Sequence, residues 1–152
     1  MKTKKASASW YIAATHYLTA GFVVPLIVSL VYSFMIFPKI GSIDSTVLWV
    51  VELVISILAI VLGVIYSARY LQKTYIIQEK DKIVLLSSIY FFLVTGAFVA
   101  MGSFTRSFFG VSSLWNIADY IFRLAAFYLV SKKFVTNTEE AVVSTQSSTP
   151  AV

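Results

Sequence analysis

Glu52, Asp119, Arg123 and His16 interrupt otherwise apolar runs, and they are the residues whose chemistry needs an explanation. Asp119 and Arg123 stand four apart, so on a helix they lie one above the other and can form an ion pair. Ser112 and Asn116 fall on the same stripe, within roughly 60° at 100° per residue, with Tyr120 beside it. Glu52 heads a second stripe, Ser56, Ala59, Gly63 and Ser67, spread over roughly 80°. Ala59, Gly63 and Ser67 are small residues at four-residue intervals, the pattern that lets another helix approach closely. Glu52 therefore shares a face with a packing surface, inside a bundle or at an oligomer interface, and Glu52, Asn116, Asp119 and Arg123 form the candidate buried polar cluster. His16 is a separate polar position, read as a hydrogen-bonded helix contact.

Three kinds of chemistry fit the cluster. Asp119 and Arg123 can neutralise each other while Glu52 offers the guanidinium, with its five donors, a second acceptor. That is an ion-pair lock between helices. Two carboxylates against one arginine leave a formal excess of −1, so one carboxyl is expected to hold a proton in a low-dielectric site. That is the element a small proton- or ion-coupled transporter or channel protomer would use. The third use, a lipid-acting membrane enzyme with Glu52 and Asp119 as acid and base, finds no accompanying nucleophile or metal set. The sequence contains no phosphate-binding glycine loop, nucleophile elbow or zinc-binding helix motif. It has no cysteine and one histidine. Thiolate metal sites, thiol redox chemistry and a heme held between two histidines of this chain are thereby excluded. No catalytic residue, cofactor or metal ligand is assigned, and the reading leans away from an enzyme.

The elements that carry these residues follow from composition. Of 152 residues, 59% are hydrophobic and 12% charged, and the mean hydropathy is +0.84. Soluble domains are about 45–50% apolar and about 25% charged, so the class is integral membrane protein. The predicted fold is all-α: a polytopic bundle of four transmembrane helices, at about 10–37, 46–66, 83–102 and 112–131. Together they form one domain over residues 1–135. A small polar tail, residues 136–152, is expected to be disordered. The first apolar run is longer than the about 7–15 residues of a signal peptide core, no small-residue cleavage site follows it before Pro38, and it is read as a retained helix. Pro25 within it predicts a kink. The charged stretch after Tyr66 is read as a helical extension of the second span. Trp10, Trp49 and Trp115 sit where interfacial anchors belong.

Charge sets the orientation. Lys2, Lys4, Lys5, Arg69, Lys73, Lys80, Lys82, Lys132 and Lys133 fall at one end of the predicted spans, against Lys39 and Arg106 at the other. The positive-inside rule puts both termini in the cytoplasm, and the short loops give up-down-up-down order. Glu52 and Asp119 then lie ~10 Å deep from the outer side, with Arg123 about a turn deeper, while His16 lies ~10 Å from the inner side. The fourth segment is the costly one. Asp119 and Arg123 together cost about 5–7 kcal/mol on the insertion scale, against about 2.4–4.8 kcal/mol from its eight strongly apolar residues. Its partner is the lipid bilayer of a cell or inner membrane. The favoured role is a non-catalytic bundle or a subunit of a larger membrane assembly, with a homo-oligomer as the form a pathway would require. The net charge of +5 is spread over span ends and calls for no nucleic acid.

Overall fold

The computed structural model describes residues 6–36, 45–107 and 113–138. They are helical almost throughout, with no strand among the described residues. We number the helices α1 (residues 9–36), α2 (Ser45–Thr74), α3 (residues 80–107) and α4 (Ser113–Phe134). Three of them contain stretches long and apolar enough to cross a membrane: Ser9–Met35, Val47–Thr74 and Lys80–Met101. At 22 residues α4 is also long enough, since about 20 residues span the hydrocarbon. Asn116, Asp119 and Arg123 dilute its apolar character.

Two helices are not regular. α1 is α-helical over Ser9–Tyr17, widens to π geometry over Leu18–Val23, and resumes as Val24–Val31 before a second π stretch at Tyr32–Ile36. Pro25 explains the position of the first widening. Its ring lacks an N–H and presses on the carbonyl four residues back, and a π turn there relieves the clash. α3 has a similar stretch at Phe91–Thr95. The second helix runs past Tyr66 to Thr74 as expected, because Ser67, Ala68 and Leu71 still face the core. Arg69 and Lys73 are exposed on the other side.

A close backbone approach lies between α1 and α2. A Cβ placed on Gly63 would come within 2.7 Å of the Ala20 carbonyl oxygen and 3.2 Å of Val24 Cβ. Ala59 and Ser67, a turn to either side, are buried as well. The small-residue run thus packs within the chain, against α1. Two apolar clusters complete the core. One gathers Ile12, Ala13, Ala68, Leu71, Ile83 and Val84; the other Tyr17, Ala20, Ile60, Val64, Phe91 and Phe127. Large apolar side chains stay exposed on all four helices, including Leu26, Leu62, Leu93 and Leu129. A soluble surface does not tolerate so continuous an apolar exterior, whereas hydrocarbon does. In the Tyr90-Phe91-Phe92 run, Phe91 is core and Phe92 faces outward.

One end of the molecule is tied together by hydrogen bonds. The Ser9 hydroxyl donates to Glu79 Oε2 at 2.7 Å. The Thr138 backbone N–H donates to the Ile77 carbonyl at 2.9 Å, and the Ile77 N–H donates to Thr138 Oγ1 at 2.8 Å. Gln72 reaches the Phe134 carbonyl and Thr136 Oγ1, and the Lys80 N–H donates to Asn137 Oδ1. Thr136 to Thr138, the start of the stretch read as a tail, are therefore bonded to the α2–α3 connection; residues 139–152 lie outside the described residues. The Ser9 hydroxyl, and then Lys82, hold the exposed Glu79 carboxyl below the usual glutamate range.

The Gly63 contact generates a prediction. Gly63→Val forces backbone apart and is expected to cost about 1–3 kcal/mol. Gly96→Ala meets only the Tyr120 hydroxyl, at 2.9 Å, and should cost less. Thermal denaturation of the purified protein in detergent ranks the two, and equal losses would count against the backbone contact.

Candidate functional site

The fourth helix brings Asp119 and Arg123 together as its spacing requires. Arg123 Nε donates to Asp119 Oδ1 at 2.8 Å, and Nη2 reaches Oδ2 at 2.5 Å. Both carboxylate oxygens are engaged by one planar fork, the strongest geometry open to such a pair. The pair is only partly buried. Its charges cancel along the helix face, and the guanidinium keeps N–H donors for other acceptors.

Glu52 lies elsewhere. It is exposed rather than buried, and it makes no ion pair with Arg123 among the described residues. The two share a cavity instead. This space of about 380 Å³ is reached by all four helices. Ser29, Tyr32 and Ser33 come from α1, Glu52 and Ser56 from α2, Thr95 from α3 and Arg123 from α4. It lies in the half of the bundle away from the Ser9–Glu79 tie. Gly21 and Pro25, at and beside the π stretch of α1, form part of its wall. Asn116, the remaining member of the expected cluster, has its side chain outside the described residues.

His16 occupies a separate layer nearer the tied end. It is fully buried, with Nδ1 2.9 Å from Ser67 Oγ and Nε2 3.0 Å from Ser131 Oγ. A neutral imidazole has one donor and one acceptor nitrogen, and a hydroxyl can serve either, so both nitrogens are satisfied. The contact joins α1, α2 and α4. The Phe127 ring lies beside it, 5.5 Å between centroids. No group of three metal-ligating side chains occurs among the described residues.

Three polar contacts went unread in the sequence. Ser67 and Ser131 are the first two; the predicted spans put them at or beyond the span ends, at a different depth from His16. The third is Tyr120, whose hydroxyl donates to the Phe92 carbonyl at 2.8 Å. Gly96 makes room for it.

Two stability measurements follow. His16→Leu, closer in volume, strands both serine hydroxyls and should cost about 1–3 kcal/mol. Asp119→Asn and Arg123→Gln should each destabilise, and the double variant should show a coupling of about 0.5–3 kcal/mol in a double-mutant cycle. Additive losses in that cycle would mean the ion pair contributes nothing to the fold.

No known family matches this chain, and neither curated proteins nor solved structures yield a similar protein, so its function is read from its own side chains.

Proposed function

We propose that the chain is a four-pass, up-down-up-down integral membrane protein with cytoplasmic termini, acting by binding a small ligand rather than by catalysis. The observation that carries this is the cavity with Glu52 and Arg123 on its wall, shared by all four helices. Ligand sites are concave, largely apolar and supplied with a few convergent polar groups, and this one has that composition. The Asp119 carboxylate is committed to Arg123 through both oxygens, which argues against its use as a proton donor or acceptor.

Two further observations support the topology. Ser9, the α2–α3 connection and Thr138 are bonded together at one end, as an even number of crossings requires. Lys82 is at the same end, which favours the cytoplasm under the positive-inside rule. For α4, mutual neutralisation of Asp119 and Arg123 lowers the cost of entering the bilayer, and exposed Ile121, Phe122 and Leu129 offer lipid an apolar face. In this reading the protein sits in a cell or inner membrane, as a bundle on its own or as a subunit of a larger assembly.

The absence of cysteine makes thiol mapping a clean test. Single cysteines at Ser7 and Gln78, and at Ala141 beyond the described residues, are expected to react from the cytoplasmic side, and one at Ser42 from the opposite side. Labelling of Ala141→Cys from outside would overturn the four-pass topology. Ser29→Cys, on the cavity wall, is expected to react with a small water-soluble thiol reagent. If it stays inert, the cavity is closed to water and the binding reading fails.

A further inference from the structure

We infer that the cavity takes an organic monocation, an ammonium carried on an apolar or aromatic body, with Glu52 as its counter-ion. The inference rests on the cavity being a binding site and names the ligand's chemistry.

Charge is the first argument. Glu52 and Arg123 are the charged side chains on the wall. Arg123 has its countercharge in Asp119. No cation among the described residues pairs with Glu52. Among the described residues the site thus holds a neutralised pair and one carboxylate without a cationic partner. A carboxylate on such a wall attracts a cation and repels an anion. An anionic ligand seeking Arg123 would meet a guanidinium whose charge Asp119 already neutralises along one edge.

Size is the second. About 380 Å³ compares with about 30 Å³ for one water molecule in the liquid. The space is large enough for a ligand with several carbon atoms, and no group of three metal-ligating side chains occurs among the described residues.

The wall is the third. Val28, Ile55 and Ile60 supply apolar surface, and the buried Tyr32 and Phe91 border it. Ser29 and Ser56 lie on the same wall and can accept hydrogen bonds from an N–H-bearing cation. One carboxylate, two serine hydroxyls and an apolar wall make a complementary site for an amine carried on an apolar body.

The full-length protein in phosphatidylcholine nanodiscs is titrated calorimetrically with benzyltrimethylammonium, benzyl alcohol and phenylacetate. The ammonium is expected to bind, with the neutral and anionic compounds roughly tenfold weaker or more. Glu52→Gln should weaken the ammonium roughly tenfold or more, and Glu52→Asp should fall between, with the ligand-free melting temperature unchanged in both. Equal ammonium affinity in wild type and Glu52→Gln overturns the inference. So does a lowered ligand-free melting temperature in Glu52→Gln, which would assign Glu52 to an internal pair. Phenylacetate binding that depends on Arg123 overturns the cation but leaves the cavity as a binding site. Failure of all three compounds with Ser29→Cys still reactive overturns the ligand class alone, whereas an inert Ser29→Cys removes the site itself.

Discussion

An imidazole sealed from solvent must satisfy both its nitrogens within the protein, and His16 does so on two different helices at once. That constraint fixes how α1 sits against α2 and α4. Ser67 and Ser131 have to reach the same depth on opposite sides of one ring. The apolar clusters lie on either side of this layer: Ile12 and Leu71 toward the tied end, Phe91 and Phe127 toward the cavity. In an environment without water an unmade hydrogen bond is costly, so a polar layer of this kind specifies register as well as adding stability. Sliding α1 by a turn would leave two hydroxyls and two ring nitrogens unpaired, and sliding α2 or α4 one of each.

The remaining polar groups divide along the length of the bundle. At the tied end, backbone and small side chains knit Ser9, Ile77 and Thr138 together. In the middle stand His16 and the close Gly63–Ala20 approach. In the other half the helices part enough to leave the cavity, with Glu52 and Arg123 on its wall. Close packing and an open polar space are thus kept apart, so the strain of holding a void falls where least depends on it. The Asp119–Arg123 pair closes on itself along α4 and asks nothing of its neighbours, which leaves Glu52 facing the space without a partner in the pair.

Local relations were legible in the sequence and long-range ones were not. The i, i+4 spacing of Asp119 and Arg123 needs only a helix to become an ion pair. The Ala59, Gly63 and Ser67 run needs only a partner helix to become a packing face. Apolar runs located α1 to α3, and the sequence suggested that α2 continues past Tyr66 without marking its end. What Glu52 meets across the bundle depends on how far α2 and α4 stand apart, and no spacing within one helix encodes that distance. The partners of His16 were hidden for a related reason: three helices must be placed before two serines and a ring coincide. The π stretches escaped altogether, since Pro25 announces a disturbance without its form.

Those stretches matter for phase. Along α1 the inward residues Ile12, His16, Ala20, Val28 and Tyr32 repeat every four positions or a multiple of four. A regular α-helix advances about 100° per residue, so each four-residue step overshoots a full turn by about 40°. Five such steps would carry the inward face about 200° round, and Tyr32 would point away from the bundle. Turns wound with more residues restore the angle. By widening at Leu18–Val23, α1 keeps a single face inward from the histidine layer to the cavity, and a helical wheel drawn through the whole segment assigns its far half to the wrong side.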